Sequence, residues 1–162
     1  MLYRIAALAG AVTALTALPT QAQLLAHKDL SLATALAIAT TAADTCKDQG
    51  NRVSVTVVGR TGEVIVQLRG DDASPHTIEN SQRKAYTSRT FRVPSGEIAQ
   101  RLKADPTAFF VHLNGVIAAQ GALPIKLGDE VIGAVGVSGS PGGDKDEVCA
   151  KAGIDKVADQ MK

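Results

Sequence analysis

Val53 to Arg69 reads VSVTVVGRTGEVIVQLR, and few architectures can absorb such a stretch. Val53, Val55 and Val57 alternate with Ser54 and Thr56, a period of two that puts valines on one face of a strand and hydroxyls on the other. Gly59 to Gly62 supplies a turn, after which Val64, Val66 and Leu68 resume the alternation. The stretch therefore predicts a half-buried antiparallel hairpin. An isolated hairpin is marginal in water, so the remaining chain must supply more strands and something to pack on them.

The flanking segments meet that need. From Asp29 to Gln49 apolar residues recur at Leu32, Leu36, Ala39, Ala43 and Cys46, and Gly50 follows, which predicts an amphipathic helix with a small-residue stripe. Ser74-Pro75 is a helix opening, with Ser placed to accept an orphan N–H and Pro needing no donor at the first helical position. The helix it opens should run to about Phe91 and show a face of mostly small side chains at Ile78, Ser81, Ala85 and Ser88, fit for the close approach of another backbone or a flat ligand. Pro94 and Ser95 start a short helix through Leu102. Beyond it, Phe109 to Leu113, Val116 to Ala119, Leu123 to Leu127 and Val131 to Val137 read as extended, punctuated by Asn114-Gly115 and Gly128-Asp129, and three antiparallel strands are the simplest reading. A last helix from about Asp144 aligns Ala150, Ile154, Val157 and Met161. The order α-β-β-α-α-β-β-β-α, with short connections, predicts an α+β domain with a single antiparallel sheet of about five strands flanked by helices.

The first 22 residues stand apart: Arg4 precedes an apolar run from Ile5 to Leu18, with Thr20 and Ala22 before a cut ahead of Gln23. This is the pattern of a cleaved signal peptide, and it predicts a single domain over residues 23–162 that is periplasmic or extracellular. No run reaches the length that spans a bilayer. The chain carries 17 Lys and Arg against 16 Asp and Glu, which gives no general pull toward nucleic acid or anionic lipid. Cys46 and Cys149 are the only two cysteines, and an oxidising compartment permits a disulfide between them; two separate buried thiols is the other reading.

The glycine-rich GAVGVSGSPGGDKDE, from Gly133 to Glu147, matches neither phosphate-binding template. Asp144 follows Gly143 where a Walker loop needs Lys, and the glycines fall three apart where a dinucleotide turn needs G-x-G. Glycines inside a strand instead predict a backbone or a flat ligand passing close by. Ser138 lacks a hydrolase elbow and no histidine follows it, and no His/Cys pair has zinc-ligand spacing.

GAVGVSG, Asp146 with CAKAG, GALPI, QRKAYTSRTF and the Val53 hairpin, taken in order, resemble the GlcG/HbpS-like family of haem-binding proteins over most of residues 30–157. The resemblance implies a profilin-like fold, assembly into homo-oligomers, often octamers, and noncovalent haem b, with iron handling in some members. It departs at Ala122, where a second glycine is common, and at Gln82, where relatives often place an acid one turn after Glu79. Glu79 alone is therefore a weak metal ligand.

Haem iron takes His, Met, Cys or Tyr, and propionates favour Arg or Lys. His112, in FFVHLNG beside Phe109 and Phe110, is the first candidate ligand; a hydrogen-bonded structural histidine is the alternative. His76 is the second, near Glu79, Arg83 and Lys84, with a solvated helix start as its alternative. Tyr86 is a third. Arg83 and Lys84, with Arg89, make part of the long helix basic; a solvated face is the alternative, and it is the resemblance that implies a role toward propionates. C-x-x-C-H is absent, which excludes c-type attachment. The reading that follows is a secreted protein that captures, stores or passes on haem or iron. A cofactor-free accessory subunit of a periplasmic enzyme is the alternative, favoured by 3% aromatic content without Trp, and an enzyme on a small organic molecule is the second alternative. No catalytic residue set is evident.

Overall fold

A computed structural model describes residues 23–161, so the leader expected over 1–22 lies outside the described residues. Among the described residues no helix is long and apolar enough to cross a membrane. The elements run α1 (Leu32–Asp48), β1 (Ser54–Val58), β2 (Val64–Arg69), α2 (His76–Phe91), α3 (Ser95–Ala104), β3 (Ala122–Leu127), β4 (Glu130–Ser138) and α4 (Gly143–Lys156). The strands form one antiparallel sheet in the order β2-β1-β4-β3.

Alternation along the two central strands divides the molecule. Val55, Val57, Val135 and Val137 join one aliphatic cluster with Ala35, Ile38, Ala39 and Ala42 of α1 and Cys149 and Ala150 of α4. A disulfide between Cys46 and Cys149 bridges those two helices, with the Cα atoms 5.6 Å apart. On the opposite face Ser54, Thr56 and Gly136 meet α2. There Ser54 Oγ lies 2.7 Å from Thr77 Oγ1, and Thr56 Oγ1 lies 2.8 Å from Ser81 Oγ. Each buried hydroxyl in these pairs thus finds the partner that burial demands. Gly136 is what lets the helix sit so close, because a Cβ there would stand 2.2 Å from the Ser81 carbonyl oxygen. The expectation of a backbone passing near the strand glycines is met at that point.

Four sequence expectations need correction. The first strand is buried on both faces rather than half-buried, because α2 covers the hydroxyl side. The sheet has four strands, not about five: Phe109–His112 is a 3-10 helix, and residues 116–119 form no strand. The buried stripe of α1 is Ala35, Ile38, Ala39, Ala42 and Cys46, whereas Leu32 is 65% exposed and Leu36 also faces outward. Small side chains are turned toward α4, and the leucines are left over. Finally, the Ser74 carbonyl, not its hydroxyl, accepts the Thr77 N–H at the start of α2.

Candidate functional site

Both candidate ligand histidines depend on α2, on different flanks. Downstream of α3 the chain has no strand to join, so its backbone groups must be satisfied otherwise. Asp105 begins the segment by accepting the Thr107 hydroxyl and N–H, bonds that hold its carboxyl below the usual range. Phe110 turns inward, edge-on to Phe91 with ring centroids 5.7 Å apart. Arg83 Nη2 donates to the Val116 carbonyl at 2.8 Å, and the Ile117 N–H donates to Thr87 Oγ1 at 2.9 Å. The Tyr86 ring packs between two turns, where a Cβ would stand 2.8 Å from it at Gly62 and 3.2 Å at Gly115.

A loop pinned at these points has one side left for solvent. Phe109 is 70% exposed, Val111 and Leu113 are exposed with it, and His112 lies exposed among them. The imidazole has no hydrogen-bond or ion-pair partner among the described residues. An unengaged histidine in a turn whose Phe109, Val111 and Leu113 are all exposed is an unusual surface, because exposed apolar groups close together normally mark an interaction site.

His76 sits on the other flank. With Asn80 and Lys84 it follows the i, i+4, i+8 line of α2 and lines a cleft of about 410 Å³, closed by the end of β4 and the loop into α4. The floor of the cleft is an ion pair, Lys84 Nζ to Asp146 Oδ2 at 2.9 Å, whose side chains are 8% and 3% exposed. Lys84 also donates to the Val137 carbonyl at 3.1 Å, and Asp146 Oδ1 accepts the Ser140 N–H at 3.1 Å.

The structure thus separates residues that the sequence reading had grouped. His112, Phe109 and Arg83 belong to the loop flank; His76 and Lys84 belong to the cleft. Lys84 is committed to Asp146 and is not an exposed cation. Phe110 and Tyr86 hold the loop in place from beneath. Glu79 pairs with Arg83 at 3.4 Å, and among the described residues no group of three or more His, Cys, Asp or Glu side chains could hold a metal ion. Arg89 lies on α2 three residues beyond Tyr86; burial, and then the charges of Arg92 and Arg60, lower its pKa, and its Nε is buried without a partner.

Sequence reasoning missed Thr87 and Asn80. The first could have been found from its place one turn after Arg83, the second from its place midway between His76 and Lys84. Nor does any local pattern give Asp146 a partner, because Lys84 lies 62 residues away.

The family model described as haem degrading protein HbpS-like matches residues 30–155. A protein of Citrobacter freundii, described as an uncharacterized 15.0 kDa protein in the dhaT-dhaS intergenic region, is 31% identical over 106 residues, 64% of this chain and 74% of that one. The crystal structure of a double mutant of Streptomyces reticuli HbpS aligns with a TM-score of 0.78 and 34% identity, covering 86% of this chain and 97% of that one. The structure of a PduOC:heme complex aligns with a TM-score of 0.72 at 23% identity, covering 78% and 94%, a likeness of fold alone.

Proposed function

The chain belongs to the HbpS-like family, and from that premise we propose that it binds haem noncovalently on the exposed surface of the Phe109–His112 turn. The observation that carries the reading is the unengaged His112 set among exposed Phe109, Val111 and Leu113 on a loop braced by Arg83 and Thr87. A haem needs an axial donor, apolar contact for its ring and a cation for its propionates. His112 supplies the first, the three apolar residues the second, and Arg83 the third, since its guanidinium has five N–H donors and the Val116 and Glu79 contacts leave some of them free. The family description, which names haem degradation, supports haem as the ligand, and a solved haem complex of the same fold is consistent with it. The bound iron would bring its own redox chemistry; the role of this chain is to hold the ring and set its ligand.

The surface covers one face of a haem. Its other face would be covered by a second copy, in a homo-oligomer of the kind that the resemblance implies, often an octamer. Exposed Leu32 and Leu36 on α1 and Val148 on α4 give such an assembly further apolar contact area. With residues 1–22 removed as a signal peptide, the protein would work in the periplasm or outside the cell, capturing, storing or passing on haem.

Haemin titration of the mature chain tests the reading. A saturable, stoichiometric Soret band is expected, weakened by Phe109→Ser through loss of apolar contact. Absorbance that rises without saturating at micromolar protein would refute it.

A further inference from the structure

The polar cleft at the start of α2 is a second site, and its chemistry differs from that of the loop. We propose that it binds a small carboxylate-bearing molecule, held by Ser138, Lys84 and Asn80.

Ser138 carries the argument. On the α2 face of the sheet each buried hydroxyl is engaged: Ser54 with Thr77, Thr56 with Ser81, and Ser88 with the Val93 carbonyl. Ser138 lies on the same face, is 5% exposed and lines the cleft, yet its hydroxyl has no partner among the described residues. The side chain is nearly buried but its hydroxyl opens into the cleft, a donor that a bound acceptor can engage.

The groups around it are mostly donors. Lys84 has three N–H donors and two acceptors, the Val137 carbonyl and Asp146, which leaves one proton for a ligand. The Asn80 amide and His76 ring have no side-chain partners among the described residues and line the same space. At the mouth, α4 begins at Gly143 with no side-chain cap, so its first N–H groups are open to an acceptor. Three negative charges are present as well. That of Asp146 is matched by Lys84 and by the Ser140 N–H, Glu147 accepts from the Gln120 amide, and Asp144 is exposed to solvent. A site with surplus donors over a neutralised floor favours a ligand rich in acceptors, and a carboxylate offers about four lone-pair sites. The polar lining and the modest volume set this site apart from the apolar loop surface, and the inference does not rest on haem binding.

Amide chemical shifts of the haem-free mature chain would be followed as acetate or succinate is added, with acetamide or succinamide as uncharged counterparts. Saturable shifts are expected at Ser138, Ser140, Gly143 and Asp144, absent with the amides. Ser138→Ala should weaken carboxylate binding at least about tenfold, the worth of one hydrogen bond to a charged group. Its melting temperature should hold or rise, because the hydroxyl it removes has no partner to lose. His112→Ala should bind the carboxylate as the wild type does. Equal shifts from amides and carboxylates, undiminished binding in Ser138→Ala, or no saturable shift at all would each overturn the proposal.

Discussion

The two faces of the sheet are made differently. On one, valines, alanines and a disulfide pack α1 and α4 into an aliphatic core. On the other, α2 lies over hydroxyls and a glycine, close enough to need Gly136 and polar enough to need Thr77 and Ser81 as partners. The first arrangement suits stability, since apolar burial is its main driving force. The second suits positioning, since hydrogen bonds are directional and fix a helix in rotation as well as in distance. Both the His112 loop and the His76 cleft are attached to α2, the helix held in this second way.

The contrast can be tested by perturbing one face at a time. Replacing both cysteines with alanine should cost the most, about 4 kcal/mol, because the bridge closes a loop of 103 residues; denaturant unfolding with circular dichroism reads it. The loop surface should keep its ligand in that variant, since α2 is untouched. Gly136→Ala should cost about 3 kcal/mol, near the top of the range for overpacking, because the new methyl must push the helix backbone away. Unlike the cysteine change it should also weaken ligand binding, which a titration at a temperature where the variant stays folded will show.

Thr56→Val should cost about 1–2 kcal/mol. It removes the partner of Ser81 and the acceptor for Gln67 Nε2, both of which keep the Ile78 carbonyl as a second partner. The reverse exchange one residue on, Val57→Thr, puts an unpartnered hydroxyl into the aliphatic face and should cost more. Equal costs would mean that the two faces are not different in kind.

The smallest effect belongs to neither face. Arg60 ties the hairpin turn to Asp29 and Glu130, and the hydrogen bond from Arg60 holds Glu130 below the ordinary glutamate value of 4.5. A depressed carboxylate pKa stabilises above that ordinary value, and the contribution disappears as pH falls through the depressed one. Melting temperature should therefore hold from neutrality down to about pH 5 and then decline, with a shallower decline in Arg60→Ala.

The sequence made these two faces only partly legible. Period-two alternation in Val53 to Val57 located the aliphatic face, but polar residues on the other side were read as solvent-facing, because no local signal shows that a helix will cover Ser54 and Thr56. The α+β class and its profilin-like form were recognisable, the form through ordered motifs rather than periodicity. FFVHL reads as a strand by β-propensity, yet it is a 3-10 helix. Its own bonds are local, Val111 N–H to the Ala108 carbonyl and Leu113 N–H to the Phe110 carbonyl. The chain just after it, at Val116 and Ile117, is held by the Arg83 and Thr87 side chains, which pattern reading does not count. The stripe on α1 was misplaced because leucines were assumed to point inward, whereas close packing against α4 selects alanines. Lys84 was recognised as a cation, but its buried acid partner was hidden by sequence distance.

The central claim is that the loop flank of α2, and not its cleft flank, holds haem. The measurement that tests it most directly is a haemin titration of the mature chain alongside His112→Ala and His76→Ala, followed through the Soret band and its difference spectrum. The account predicts that His112→Ala shifts the band and lowers affinity, and that His76→Ala leaves both as they are. The reverse pattern, or identical spectra for all three proteins, would contradict it.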